Sequence, residues 1–302
     1  MDGKRYLILL GAPKCATSSL AVWLSKLPGS ALSRKKETLF FTGYGAMRWT
    51  GPGAGFADGA PKSDDEFRAL FDHALDADLR IEASTDNLSC ESACEAIQRF
   101  AARRDVSSLK VVAITRDPVE RIISEYEHTL RLGWQSGNLL NSLRLEASRR
   151  ADHWNPLFHH IHRTRYASQI ARFRAAFGSD LRVIDYHELS SPRVLRGLAA
   201  FAGSDARTLP DTLGHLNVRK VYSRPLVEQQ LSKSPLRKHV GWLVPKAMRS
   251  RVRSILRGAP QDRYQPTREE RAFILNALRP EIEACIADPE IETKHWTSLE
   301  VV

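Results

Sequence analysis

The chain has 302 residues, 42% of them apolar, and a net charge of +10 from 45 Lys and Arg against 35 Asp and Glu. That apolar share excludes a globally disordered polymer, and no run approaches the ~20 apolar residues that a bilayer span requires. Four cysteines, Cys15, Cys90, Cys94 and Cys285, form no CxxC pair, which argues against a disulfide scaffold and a thiolate metal site. The basic surplus suits an anionic ligand: a nucleotide, a nucleic acid, an acidic glycan or a membrane face.

The length fits one domain spanning residues 1–302. The basic start MDGKR precedes a run too short for a signal peptide, with Pro13 and Lys14 where a cleavage site would stand, so a cytoplasmic protein is expected. Residues 7–10 read as a buried strand that breaks at Gly11-Ala12-Pro13 and restarts as a helix at Thr17. That helix is expected to reach Leu27, before Pro28-Gly29. The segment KKETLFF follows at 35–41. Residues 42–65 then carry six glycines and two prolines without periodicity, which predicts a mobile loop. Helical spacing resumes at 65–75, LRIEA at 79–83 predicts a strand, and 90–104 a helix.

Residues 109–115, LKVVAIT, form the strongest strand signal, a β-branched run of the kind buried in parallel sheets. It ends at Arg116-Asp117-Pro118, where Asp117 is placed to cap a helix that Pro118 starts and that extends to about Leu132. A break at 133–138 and a polar, basic segment to His162 follow. A helix over 163–177, with inner face Tyr166, Ile170, Phe173 and Phe177, leads to a strand at 181–185 and a helix at 192–202. The segment 234–302 is read as basic and helical, its closing helix at 267–286 kinked or broken at Pro280. Strands alternating with helices predict an α/β fold: a P-loop-like, doubly wound parallel sheet of about four to five strands flanked by helices.

In such sheets ligands sit beyond the carboxyl ends of the strands, where both Gly11–Ser19 and Arg116–Ser124 fall. The first stretch joins a strand, a tight turn, Lys14 and a helix start, the geometry of an anion pocket. It is not a Walker loop: no Gly-Lys pair is present, and Cys15 stands where that loop has its magnesium-binding hydroxyl, so no metal is expected. In the second stretch Arg116 offers a planar fork and Ser124 a hydroxyl, which suits a second phosphate.

These residues resemble the sulfotransferase family that uses 3′-phosphoadenosine 5′-phosphosulfate (PAPS). GAPKCATSSL is similar to the family's 5′-phosphosulfate loop, and VVAITRDPVERIISEYEH to its 3′-phosphate motif, RDPVxRxxSxY. KETLFF resembles the KExHFF segment of the carbohydrate, heparan-type branch, whose glutamate is the catalytic base. RYASQIARFRAAFGSDLRVIDYHEL and LRPEIEACIADPEIETKHW are similar to the last helix–strand pair and closing helix of bacterial members, so the resemblance spans most of the chain. It implies that Lys14, Ala16, Thr17, Ser18 and Ser19 bind the 5′-phosphosulfate. Arg116 and Ser124 bind the 3′-phosphate, Lys14 faces the leaving oxygen and Glu37 is the base. Asn217, Arg219 and Lys220, in GHLNVRKVYSRP, resemble the late basic loop that covers the nucleotide. Leu39 replaces the family's His, Thr42 its following Asp, and Ala83 the lysine of EKSPxYF.

The implied activity is sulfuryl transfer to a hydroxyl or amine, with a carbohydrate, a glycolipid or another small hydroxyl compound as acceptor. Neither a nucleic-acid partner nor a transmembrane segment is expected. Peripheral membrane contact is left open by a basic amphipathic stretch at 245–256. His128, His153, His159, His160 and His162 are alternative bases. The competing readings are a degenerate P-loop kinase or NTPase and a non-catalytic polyanion binder.

Overall fold

Strands made of unbroken apolar residues need cover on both faces, and that requirement organises the molecule. The computed structural model describes residues 3–135, 137–207, 209–214 and 263–299. β1 (Lys4–Gly11) and β4 (Val106–Thr115) lie side by side at the centre, and the stretches 6–11 and 111–115 are wholly buried. β3 (Leu79–Ala83) and β2 (Ser30–Leu32) extend the sheet on one side, and β5 (Leu181–Asp185) closes the other. The order is β2-β3-β1-β4-β5, with every pair parallel.

Helices flank this five-stranded sheet: α1 (Thr17–Leu24), α2 (Asp64–Ala69), α3 (Glu91–Ala101), α4 (Pro118–Arg131), α5 (Leu139–Arg144), α6 (Glu146–Ala151), α7 (Tyr166–Phe177), α8 (Pro192–Phe201) and α9 (Arg268–Ala287). The expected α/β architecture is therefore observed. α1 stops three residues before the expected Leu27, because the chain already turns at Ser25. The polar segment before His162 contains α5 and α6, six residues each and too short for a periodic signal.

α9 runs unbroken through Pro280, which rules out the break among the two expected outcomes, a kink or a break. Its start carries a complete capping box between Thr267 and Glu270, and its stripe of Ile274, Leu278 and Ile282 packs against Val119, Ile122, Ile123 and Tyr126 of α4. Burial along that stripe holds the helix where proline removes one hydrogen bond. The tail beyond α9 returns to the sheet. Trp296 donates through Nε1 to Asp185 at 3.1 Å, and Ser298 donates its N–H to Asp117 at 2.8 Å. All four cysteines are buried thiols. No helix among the described residues is long and apolar enough to cross a membrane.

Candidate active site

Four segments leave the carboxyl edge of the sheet and meet there. Lys14 follows β1, Glu37 follows β2, Thr85 and Asp86 follow β3, and Arg116 follows β4. The strand order reverses at β1, so the segments after β1 and β4 flank the crevice in which doubly wound folds bind ligands.

The loop after β1 is tightly fitted. Gly11 has φ +136°, and a Cβ there would lie 2.5 Å from the Thr85 carbonyl oxygen, so only glycine lets the two segments approach. Ala12 donates its N–H to the Ile114 carbonyl at 2.9 Å, which ties the loop to β4. Lys14 and Ala16 are left-handed, with φ 68° and 58°, on either side of Cys15. Alternation of this kind builds an anion-binding backbone nest. It runs directly into α1, whose N-cap residue, Ala16, supplies no side-chain cap. The amides of Thr17, Ser18 and Ser19 thus open a helix with its positive end uncapped by a side chain. Thr17 is buried, and Ser18 and Ser19 are half-buried. Cys15 is fully buried, and burial pushes its thiol up to about 11, which makes it inert packing.

A cavity of about 440 Å³ lies against this loop, and its lining includes Lys14, Ser18, Glu37, Thr85 and Ser124. Four residues named from three widely separated motifs, Lys14, Ser18, Glu37 and Ser124, therefore open on one space. α4 supplies a whole face of it: Ser124, Glu127, His128 and Arg131 recur at helical spacing. Ser124 and, as an alternative base, His128 were singled out in the sequence, and the helical spacing makes Glu127 and Arg131 legible once they are placed. Burial, followed by the Arg131 charge, lowers Lys14 to about 8, with Glu125 opposing them.

Glu37 is held from two sides. Its Oε2 accepts the Thr85 N–H at 2.7 Å, and Lys36 pairs with its Oε1. Its backbone is left-handed at φ 59°, as is that of Leu39. Two anchors maintain this turn. The Glu37 N–H donates to Ala83 at 2.9 Å, and Phe40 and Phe41 lock into an aromatic cluster with Phe67, the Phe40–Phe67 pair stacking at 4.5 Å. Beneath the turn lies Glu82, fully buried. It accepts from Thr38 at 2.8 Å, from Asn87 at 3.0 Å and from Ser84, while Ser84 Oγ accepts the Leu39 N–H at 2.9 Å. The sequence reading did not single out Glu82.

Arg116 lies beside the cavity lining. Its guanidinium donates to the Lys14 carbonyl at 3.0 Å, stacks over the Tyr186 ring at 4.7 Å and approaches Glu120 at 3.5 Å. The pairing with Glu120 is the ordinary helix partner that the spacing allows. Arg263 also pairs with Glu120. Arg219, Lys220 and Asn217 lie outside the described residues, as does the stretch 245–256.

Behind the cavity is an ionic core that the sequence reading missed. Glu125 is unexposed and bonds Arg121 at 2.9 Å, His160 at 3.0 Å and Arg163; Arg163 also pairs with Asp86 at 3.0 Å. Its neighbouring cations hold the Glu125 carboxyl well below the usual carboxylate range despite burial. Burial pushes Asp86 up to about 6, against the pull of Arg163. Nothing local in the sequence joins 86, 125 and 163, so only the fold reveals them.

The histidines divide. His128 lines the cavity and is held near 3 by burial and by Lys14, and its Nδ1 lies 2.5 Å from an Arg131 amine. With that nitrogen accepting, the neutral ring carries its proton on Nε2 and serves as a donor. His160 belongs to the Glu125 core, whereas His153, His159 and His162 surround a second cavity. Among the described residues no group of three or more His, Cys, Asp or Glu could hold a metal.

No family model matches the sequence, and no curated protein matches it. Among solved structures, the chain is similar to the crystal structure of a sulfotransferase from Alicyclobacillus acidocaldarius. The TM-score is 0.71 at 22% identity, over 96% of this chain and 98% of that one. At that identity the likeness establishes a common fold.

Proposed function

We propose that the chain is a PAPS-dependent sulfotransferase that transfers a sulfuryl group to a hydroxyl or amine of a carbohydrate, a glycolipid or another small acceptor. The observation that carries this reading is the convergence of Lys14, Ser18, Ser124 and Glu37 on one cavity. A nest opening an uncapped helix suits the 5′-phosphate, and no carboxylate replaces Arg116 at the end of β4. The fold shared with a sulfotransferase agrees with it.

In this reading Glu37 removes the proton from the acceptor hydroxyl as its oxygen attacks sulfur. The sulfur–oxygen bond to the nucleotide phosphate breaks in line, and Lys14 neutralises the charge left on that oxygen. Thr85 and Lys36 hold the Glu37 carboxylate in place for this step. Arg116 and Ser124 take the 3′-phosphate. The bound donor supplies only the sulfuryl group and its leaving phosphate. Calorimetric titration with adenosine 3′,5′-bisphosphate tests the reading directly. Micromolar binding without metal, with ATP–Mg²⁺ weaker, supports it; no binding, or tighter binding of ATP–Mg²⁺, overturns it. Transfer of labelled sulfate across glycans, lipids and phenols then identifies the acceptor.

A further inference from the structure

A second cavity, of about 360 Å³, lies next to the first. Arg163 lines both, and three segments pass from one to the other. The turn bearing Glu37 runs on to Tyr44 and Trp49, the stretch at Asp86 runs on to the start of α3, and the stretch at Asn155 runs on to His159. The second cavity therefore adjoins the wall that carries Glu37, the proposed base.

Its chemistry is specific. One wall is aromatic: Tyr44 and Trp49 meet edge-on at 4.7 Å, and Trp49 meets Phe56, a wall of the first cavity, at 5.3 Å. Trp49 donates through Nε1 to the Tyr44 carbonyl at 3.0 Å, which fixes the ring. The rest of the lining carries groups that favour an anion. Arg150 is exposed at the rim, and the N-cap of α3 is Cys90, which offers no side-chain cap, so the positive end of an eleven-residue helix faces this space. His159 lines the cavity, is only 8% exposed, and its Nε2 has no hydrogen-bond partner among the described residues. Burial and the positive surroundings hold His159 near 3 and His162 near 4, Arg150 contributing to both. Among the described residues of the lining, Glu91 is the one acidic residue.

We propose that this cavity holds the remote end of the acceptor, a ring laid on the Trp49–Tyr44 wall that carries an anionic group held by Arg150, His159 and the α3 amides. The assignment rests on the sulfuryl-transfer reading and names the substrate class within it: a hydroxyl compound with a ring-borne carboxylate, sulfate or phosphate. Both acidic sugars and aryl acids present that chemistry.

The test uses the full chain saturated with adenosine 3′,5′-bisphosphate and four probes in two pairs. These are 4-nitrophenyl glucuronide against 4-nitrophenyl glucoside, and 4-hydroxybenzoate against phenol. In at least one pair the anionic member should bind about tenfold tighter, the scale of one charge-assisted contact, and that pair identifies the source as sugar or aryl. Arg150→Ala, at an exposed position, should erase the preference. Trp49→Ala should weaken both members of the responding pair, and Trp49→Phe should restore them if the aromatic face is what matters. Equal affinity within both pairs, no binding by any probe, or an unchanged preference in Arg150→Ala overturns the proposal. The donor reading fails separately: a protein that ignores the bisphosphate yet keeps the Arg150-dependent preference retains this site and loses that reaction.

Discussion

The Arg116 guanidinium donates to the main-chain carbonyl of Lys14 across 3.0 Å, joining two loops that are 102 residues apart in the chain. A side chain assigned to one phosphate therefore also shapes the loop assigned to the other. Arg116→Ala removes a charge-assisted contact of roughly 1.5–3 kcal/mol and should weaken adenosine 3′,5′-bisphosphate binding about 10- to 100-fold. Arg116→Lys keeps the charge but loses the planar fork and the stacking on Tyr186, so it should recover only part of the affinity. Calorimetry decides. An unchanged Kd in the alanine variant removes Arg116 from the donor site.

Lys14 gives a pH signature. Burial and Arg131 lower it to about 8 from an ordinary lysine value of 10.5. The folded state thus releases this proton before the unfolded state does. Its charge costs stability below about 8, and that cost is relieved as pH rises from there toward 10.5. Binding runs the other way. Bisphosphate affinity should fall as pH rises through about 8, because the uncharged amine no longer attracts phosphate. Lys14→Arg stays charged throughout and should flatten the profile. Affinity measured from pH 6 to 10 checks this, and a wild-type profile parallel to that of Lys14→Arg contradicts it.

The sheet was legible because its strands carry their own signals. LRIEA became β3 residue for residue, and Asp117 caps α4 through the N–H groups of Val119 and Glu120, as the Asp-Pro pair implied. β2 was not legible: Ser30–Leu32 is three residues without alternation, and it is a strand only because β3 offers it a ladder. Of the cavity lining, Lys14, Glu37 and Ser124 stand inside motifs that the sequence alone displays. The site was illegible at Asp86, Glu125 and Arg163, whose roles arise from pairing between distant elements. Glu82 lies between these cases. Its place in a strand is readable, but its service to the turn at 37–39 depends on the third dimension.

That service can be measured. Burial pushes Glu82 up to about 7, with the Glu37 charge adding to the effect. A carboxylate raised from 4.5 costs the folded state increasing stability as pH climbs through that window. Glu82→Gln cannot ionise, so its melting temperature should gain on the wild type between about pH 5 and 7 and level off above. Gln keeps the shape but must reverse one hydrogen bond to Thr38 or Ser84, so turnover should drop about tenfold through kcat with donor affinity intact. Glu37→Gln, by contrast, should lose ~10²–10⁴ of turnover, the worth of a general base. A pH-independent difference in melting temperature, or full activity in Glu37→Gln, refutes the respective assignment.

The Glu125 core supplies the last prediction. Glu125 lies between Arg121 and Arg163, with His160 on the same carboxylate, and both it and Arg121 are wholly unexposed. Breaking such a group from one side leaves cations uncompensated, so Glu125→Gln should destabilise the fold by about 3–5 kcal/mol. The depressed carboxyl contributes stability that is full above the unfolded pKa near 4.5 and declines as pH falls below it. The variant should therefore lose most of its deficit in acid, with its urea midpoint approaching the wild-type value. Arg163→Met removes one cation and frees Asp86, which lines the cavity, so it should add a loss of activity to a smaller loss of stability. Urea unfolding at pH 7 and at about pH 2, well below the unfolded value, measures both. A Glu125→Gln protein as stable as the wild type at pH 7 shows that the cluster contributes no net stability to the fold.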